Sequence, residues 1–291
     1  MLLSLQQIKI IFHMVKLIIG IADLHIPNFK GIEEYTEQLS KLIDELKEKT
    51  SSYNKEEVRI VLLGDLIHNK NNVSNELISL ASSFISELEQ IAKVIAIAGN
   101  HDLVLSNKLR LDTISTIFKI SKFENSIFLD EVLGFDSGCL SDGNIIWALF
   151  SIYNDYKPMD LVELKKANPN KLIVGLFHGN LVGSVLSNGY MSDKGVSCEI
   201  FKGCDIALCG DIHKRQVIDK FGTPIIYSGS LLQQNFGETI TQHGYTMVKI
   251  NKSNSFEYEF IDFNTDYGFY SVELSSIEDI DRDKERLLNF Q

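Results

Sequence analysis

Short apolar runs that end abruptly in polar residues recur along the chain. In VIAIAGNHD (94–102), five apolar residues lead through Gly99 into Asn100, His101 and Asp102. Apolar runs of this length are typical of buried strands, and parallel sheets present their chemistry at the carboxyl ends of the strands. The pattern therefore predicts strands whose polar ends meet at one edge of a sheet. Runs of this kind lie at 16–25, 58–68, 94–102, 171–179 and 205–213.

Between the first three runs, apolar residues recur at the spacing of a helix. This spacing predicts an amphipathic helix over Glu33–Lys49 and a second helix over 77–91. Strands that alternate with helices form a parallel sheet with right-handed crossovers. Shorter helices are expected over 109–119 and 158–167.

Residues 126–150 have short apolar pieces separated by turn residues, which predict antiparallel strands. Further strands are expected in 216–230, 244–250 and 256–263. Residues 180–196 are rich in Gly, Ser and Asn and predict an exposed loop, and 271–291 predict a short charged helix. The expected fold class is α/β, a sandwich of two sheets with the polar loops along one edge.

Composition limits the function classes. The formal charge of −11 argues against a protein coated in positive charge for non-specific nucleic-acid binding. The four cysteines form no CxxC pair, which argues against a structural zinc site and favours reduced thiols in a cytoplasmic protein. If the chain is viral, that is the host cytoplasm. No apolar run reaches the ~18 residues of a membrane span, so no membrane partner is expected. Residues 1–14 are interpreted as an N-terminal extension.

The polar strand ends offer carboxylate, imidazole and amide groups, a mixture that suits Mn²⁺, Fe²⁺ or Zn²⁺. Seven such groups are too many for one ion and suit two, with one carboxylate bridging. Two ions ~3.5–4 Å apart can clamp both sides of an in-line displacement at phosphorus. The expected cofactor is a pair of divalent ions, first of all Mn²⁺, with Mg²⁺, Fe²⁺ or Zn²⁺ as alternatives. The candidate ligands are Asp23, His25, Asp65, Asn100, His178, Asp211 and His213.

His101 is the candidate general acid, because an imidazole next to a metal ligand can protonate a leaving oxygen. Asp102 is expected to orient it, since a neighbouring carboxylate fixes the tautomer of a histidine. Lys108, Arg110 and the pair 214–215 flank the polar loops, as phosphate contacts or as solvated surface charges.

Five motifs in this order resemble the calcineurin-like metallophosphoesterase superfamily: Asp-x-His, Gly-Asp-x-x-His, Gly-Asn-His-Asp, His-Gly and Gly-x-x-His. The resemblance covers roughly 15–263 and implies an α/β/β/α sandwich, with a catalytic domain over 15–265. It implies that the first ion is held by Asp23, His25, Asp65 and His213. By the same match, the second is held by Asp65, Asn100, His178 and Asp211.

Finer features are similar to one branch of that superfamily. GDLIHNKNNVSNELI (64–78) resembles a segment of the SbcD-like DNA-repair nucleases, and GDIHKRQ…GTPIIYSGSLLQQNFGE (210–238) resembles the nuclease subunit of tailed-phage recombination endonucleases. The resemblance implies that His68 helps to place a DNA phosphate and that an SbcC-like ABC-type ATPase is a partner. A homodimer is a further expectation. Residues 266–291 would be a short tail, a remnant of the capping domain. One departure is Asp211, where the family usually has His.

Three functions remain open. The first is a Mn²⁺-dependent DNA nuclease of the recombination and repair type. The second is a stand-alone phosphoesterase that acts on small nucleotides or phosphodiesters. The third is a nuclease-dead scaffold that binds DNA or an ATPase, against which the intact ligand set argues.

Overall fold

A computed structural model describes residues 14–251, 253–265 and 267–269, together with 276, 279 and 284. Apart from Met14, the expected N-terminal extension lies outside the described residues. The same holds for most of the expected tail over 266–291, including the helix expected over 271–291. Among the described residues, no helix is both long and apolar enough to cross a membrane.

The described strands belong to two six-stranded sheets. In chain order they are β1 Leu17–Ile21, β2 Val58–Leu63, β3 Lys93–Ile97, β4 Ser126–Phe128, β5 Gly138–Asp142, β6 Ile145–Phe150, β7 Leu172–His178, β8 Ile206–Gly210, β9 Gln216–Lys220, β10 Thr223–Tyr227, β11 Gly244–Ile250 and β12 Phe256–Asp262. The helices are α1 Ile32–Thr50, α2 Asn75–Ile91, α3 Thr113–Ser121, α4 Leu129–Val132 and α5 Leu161–Ala167. Short 3₁₀ turns lie at 55–57, 105–107, 152–154 and 198–201.

The first sheet has the order β12-β11-β1-β2-β3-β4, and the second has the order β5-β6-β7-β8-β10-β9. Strands β1 to β4 are parallel to their neighbours in that series, and so are β6, β7, β8 and β10 in the second sheet. Strands β11 and β12 pair antiparallel at one side of the first sheet, while β5 and β9 form antiparallel edges of the second. The parallel centres bring the polar strand ends to a common edge.

Alternating residues of the central strands divide the core into three layers, because successive side chains of a strand point to opposite faces. Ile19 and Ile60 pack toward the helices that follow their strands. Ile18 and Val61 pack between the two sheets, in a cluster with the fully buried Trp147. The outer face of the second sheet is covered by α5 and the turn at 198–201. The expected α/β sandwich is therefore confirmed.

Two expectations for the middle of the chain need correction. Residues 126–150 do not form only antiparallel strands: β5 and β6 make a hairpin, but β4 is parallel to β3 and β6 is parallel to β7. The turn signals before β5 mark a crossover between the sheets, not a second hairpin. The helix expected from Leu109 begins only at Thr113, because Asp112 caps it by accepting the Ser115 N–H at 2.6 Å. Leu109 itself is 99% exposed.

Candidate metal centre

The seven candidate ligands lie at one edge, where the two sheets meet. Asp23 follows β1, Asp65 follows β2 and Asn100 follows β3, while His178 ends β7 and Asp211 follows β8. The Asp211 N–H donates to Asp23 Oδ1 at 3.0 Å, and this hydrogen bond joins a strand end of one sheet to a strand end of the other. The sequence motifs therefore converge in space as the strand-end argument expects.

Several ligand residues have left-handed backbone. Positive φ occurs at Asp23 (+51°), His25 (+46°), Asp65 (+51°) and Asp211 (+92°). This region is unfavourable for residues with a Cβ and is found most often at functional sites. Each strand turns sharply as it ends, which places its polar side chain at the common edge.

Three glycines beside these turns allow close approach. A Cβ at Gly64 would collide with the His178 ring, and one at Gly99 would collide with the Asp65 carboxylate. A Cβ at Gly210 would collide with the Leu63 carbonyl oxygen. Because the site is packed this closely, only Gly fits before the Asp or Asn of each of these motifs.

The ligand atoms form two overlapping groups. Donor atoms of Asp23, His25 and His213 lie within 4.8 Å of one another, and so do those of Asp23, Asp65 and His178. In the first group the His25 Nε2 and His213 Nε2 atoms are 3.0 Å apart. Asp65 faces both groups, since its Oδ2 is 3.5 Å from His25 Nε2 and its Oδ1 is 3.3 Å from His178 Nε2. Asp23 is common to both groups and Asp65 lies within 3.5 Å of a histidine of each, so both carboxylates lie where a bridging ligand is needed.

Unpaired polar atoms test whether cations fit here. His178 Nδ1 donates to the Leu63 carbonyl at 2.7 Å, which leaves its buried Nε2 without a hydrogen-bond partner among the described residues. Asn100 donates its Nδ2 to Asp211 Oδ1 at 2.9 Å, and its buried Oδ1 is likewise unpaired there. Buried polar atoms are rarely left unpaired in proteins. One divalent cation at the second expected position would satisfy both atoms, and the group of Asp23, His25 and His213 offers donors for the first ion.

The ionisation of the cluster also fits cations. Burial raises the pKa of Asp23 to about 6, against the lowering effect of His213 and His178. Burial likewise raises the pKa of Asp65, but His178 and His25 outweigh it and hold that pKa below its usual range. The pKa of His178 is raised well above normal because Asp65 outweighs burial. Without metal the proton of this pair thus stays on His178, next to the ionised Asp65, and a bound cation would displace it.

Glu238 supports His213 and was missed by the sequence analysis. His213 Nδ1 donates to Glu238 Oε1 at 2.7 Å. The same carboxylate accepts from the Gln234 N–H at 2.8 Å and from Asn235 Nδ2 at 2.7 Å. Burial opposes it, but this hydrogen bond raises the pKa of His213. A carboxylate in this position fixes the tautomer of a metal-binding histidine and makes it a stronger ligand.

His101 lies beside the ligands, but its orienting contact differs from the one expected. The His101 N–H donates to Asp65 Oδ1 at 2.7 Å, and its Nδ1 donates to the His68 carbonyl at 2.6 Å. With Nδ1 occupied, His101 Nε2 is the nitrogen that can exchange a proton with a substrate. The carbonyl of His68 therefore has the orienting role that was predicted for Asp102.

Asp102 stabilises the loop and does not contact the His101 ring. It is 1% exposed and accepts from the Gly99 N–H at 2.8 Å and the Ile67 N–H at 3.3 Å. Burial raises its pKa to about 8. Backbone N–H groups from two loops surround the carboxylate, so it cannot also turn toward His101.

The remaining candidates differ in exposure and pairing. The His68 side chain is exposed, and its ring centroid lies 5.7 Å from that of His101 and 5.5 Å from that of His25. Lys108 pairs with Asp155 at 2.6 Å, and Arg215 pairs with Asp262. Two of the four flanking basic residues are thus engaged by carboxylates. His68 remains available to a substrate at the mouth of the site.

The arrangement suits hydrolysis of a phosphoester. Two bound divalent ions would supply Lewis-acid activation and a clamp for displacement at phosphorus. The chain itself fixes His178 and His213 through Leu63 and Glu238. It also holds the His101 imidazole beside the His25 ring, with Nδ1 bonded to the His68 carbonyl and Nε2 left for proton transfer.

The chain belongs to the calcineurin-like phosphoesterase family, whose family model matches residues 16–215. All seven candidate ligands fall within that match. Members of this family are metal-dependent hydrolases with a two-metal site, which agrees with the His and Asp clusters at the sheet edge.

An uncharacterized protein of Acanthamoeba polyphaga mimivirus is 34% identical over 282 residues, which cover 93% of this chain and 19% of that protein. The chain thus spans about a fifth of the length of this viral relative. The phosphopantetheinyl hydrolase of Mycobacterium tuberculosis is 11% identical, with a TM-score of 0.42 over 76% of this chain and 91% of that one. Zinc-bound Vps29 from Entamoeba histolytica is 13% identical, with a TM-score of 0.35 over 85% and 99%.

Proposed function

We propose that this chain is a metal-dependent DNA nuclease of the recombination and repair type, which hydrolyses phosphodiester bonds with Mn²⁺ as activator. An ABC-type ATPase subunit is the proposed partner. Membership of the family accounts for metal-dependent phosphoester hydrolysis, and the proposal adds DNA as the substrate.

One observation supports the finer proposal. The segment 222–238, GTPIIYSGSLLQQNFGE, resembles the nuclease subunits of tailed-phage recombination endonucleases. Its last residue is Glu238, which accepts the hydrogen bond of His213. The stretch that carries the resemblance therefore also supports one of the metal ligands.

The expected leaving group adds a second argument. A sugar alkoxide is a poor leaving group, so its departure requires a proton in the transition state. His101 is partly exposed beside the ligands and is oriented by the His68 carbonyl. Such a proton donor is useful for unactivated phosphodiesters like those of DNA.

The test is a substrate panel with purified protein. Linear duplex DNA, circular single-stranded DNA and methyl p-nitrophenyl phosphate are incubated with Mn²⁺, with EDTA as the metal-free control and Asp65→Asn as the inactive control. We expect Mn²⁺-dependent cleavage of DNA that both controls abolish. Cleavage of the small ester without any cleavage of DNA would refute the nuclease proposal.

A phosphodiesterase of small nucleotides is the second candidate, and one observation favours it. Lys108 and Arg215, two of the basic residues that flank the site, are already paired with Asp155 and Asp262. Fewer basic side chains then remain to contact the phosphates of a long DNA strand. Adding dinucleotides and cyclic nucleotides to the panel separates the two, because this candidate requires a higher kcat/KM on them than on DNA.

A further inference from the structure

Four aromatic rings form a continuous row that ends at the surface. We call Tyr35, Tyr267, Phe269 and Phe236 the aromatic ladder. The ring centroids are 5.5 Å apart from Tyr35 to Tyr267, 6.0 Å from Tyr267 to Phe269, and 5.1 Å from Phe269 to Phe236. Tyr35 is buried in the core, whereas Phe236 is 67% exposed. Single exposed apolar side chains are ordinary, but this one is supported by a row of rings that reaches the core.

Hydrogen bonds join the ladder to the residues that precede Phe236 in the chain. The Phe269 N–H donates to Gln233 Oε1 at 2.7 Å, and Gln234 Nε2 donates to the Tyr35 hydroxyl at 3.0 Å. Both glutamines lie just before Phe236 in the chain. The start of the loop that carries Phe236 is thus anchored to Phe269 and to Tyr35. A binding surface that is ordered in advance loses little conformational entropy when a ligand arrives.

The ladder emerges beside the metal centre. Phe236 precedes Glu238 by two residues, a separation of at most about 7 Å along an extended chain. The Glu238 carboxylate is bonded to His213, whose Nε2 faces His25 Nε2 at 3.0 Å. A short stretch of substrate held at the metals can therefore reach the exposed ring.

We propose that Phe236, supported by the rest of the aromatic ladder, is a stacking platform for a nucleobase next to the bond that is cut. The proposal rests on the proposed nuclease function and names the form of the substrate. Stacking needs a free base face, so the ligand is single-stranded DNA or the frayed end of a duplex. The platform accepts any base, because every base has a π-face.

The experiment measures cleavage of single-stranded oligonucleotides that differ at one position near the cut. Each oligonucleotide is compared with a copy that lacks the base at that position. Stacking of one base on an aromatic side chain corresponds to about a 5- to 150-fold effect on binding. For the wild type we expect KM to rise by a factor in this range when the base is removed, with kcat little changed.

Variants separate stacking from a structural role. Phe236→Ala should raise KM by a similar factor on the intact strand, and removing the base should then have no further effect. Phe236→Trp should restore the low KM. 2-Aminopurine at that position should be quenched on mixing with the wild type but not with Phe236→Ala. The matched control is Phe221→Ala. Phe221 is 57% exposed and lies in the β9–β10 turn, at the strand ends that point away from the metal centre.

The outcomes separate the inference from the function on which it rests. If the effects of Phe236→Ala and of base removal multiply independently, or if Phe221→Ala has the same effect, the platform is refuted while the nuclease function stands. If the wild type cleaves methyl p-nitrophenyl phosphate but no oligonucleotide, the nuclease function fails.

Discussion

Replacing Glu238 by Gln tests the metal centre most directly, because it keeps the side-chain size and removes one charge. The Glu238 carboxylate accepts three hydrogen bonds, two at Oε1 from His213 and Asn235 and one at Oε2 from the Gln234 N–H. A glutamine has one acceptor oxygen and one NH₂ group. If its oxygen serves His213, its NH₂ points at the Gln234 N–H, so one donor is always left facing another donor.

Loss of such a support typically lowers metal affinity about 10- to 100-fold. At about 1.4 kcal/mol per factor of ten, that corresponds to about 1.4–2.8 kcal/mol. Hydrogen bonds to charged groups contribute about 1.5–3 kcal/mol, which is the same range. Only the ion next to His213 should weaken, since His178 is held by the Leu63 carbonyl instead.

The defect should also depend on pH in a defined direction. The hydrogen bond to Glu238 raises the pKa of His213 against the effect of burial, so in Glu238→Gln that pKa falls. A proton on His213 competes with metal, and the wild type suffers more from this competition at low pH. The affinity ratio of wild type to variant should therefore be largest at high pH and shrink as the pH falls.

Titration of Mn²⁺ into metal-free protein at pH 6 and pH 8, by calorimetry and by electron paramagnetic resonance, measures both sites. The exposed Glu257→Gln provides the matched control on β12. Equal weakening of both ions, no weakening at all, or a larger defect at pH 6 than at pH 8 would contradict the role assigned to Glu238.

Three further substitutions address the ligands and the acid. Asp65→Ala should bind at most one ion and lose activity, because this carboxylate faces both groups; two tightly held ions in metal analysis would remove its bridging role. His101→Ala should keep both ions and lose ~10²–10⁴ in rate on DNA; the loss should be smaller on nitrophenyl esters, and equal losses would exclude His101 as the acid. Asp211→His should stay active and shift its preference from Mn²⁺ toward Zn²⁺ or Co²⁺; an unchanged preference in metal-dependent cleavage assays would argue against ligation by Asp211.

The sequence predicted where the candidate ligands lie because two signals coincide at each strand end. An apolar run fixes a buried strand, and the first polar residues after it must lie at the sheet edge. Asp65 and His178 were predicted in this way although 113 positions separate them in the chain, and their side chains lie 3.3 Å apart. The helices were predictable where apolar spacing was regular, as in α1 and α2.

The sequence could not supply contacts that depend on irregular loops. Glu238 lies in a loop without periodic pattern, 25 residues after His213, and no local signal marks it. Asp102 stands next to His101 in the chain, which suggested a contact, but the backbone N–H of Ile67 comes from another loop and occupies the carboxylate. Nearness along the chain was misleading there because the partner that decides the orientation is distant in sequence.

The left-handed backbone at the ligand positions implies a conflict between stability and activity. Each such residue costs of the order of 1–3 kcal/mol, and Asp23, His25 and Asp65 each have it. Glycine would relieve that cost at any of them while deleting a ligand. Selection for heat resistance in the absence of metal and substrate should therefore recover inactive variants at Asp23 and His25, with higher melting temperatures than the parent. It should not recover them at Asp65, whose carboxylate is stabilised by His178 and by the His101 N–H. The strand ends would then resemble an ordinary sheet edge, and the protein would gain stability because it had lost candidate metal ligands.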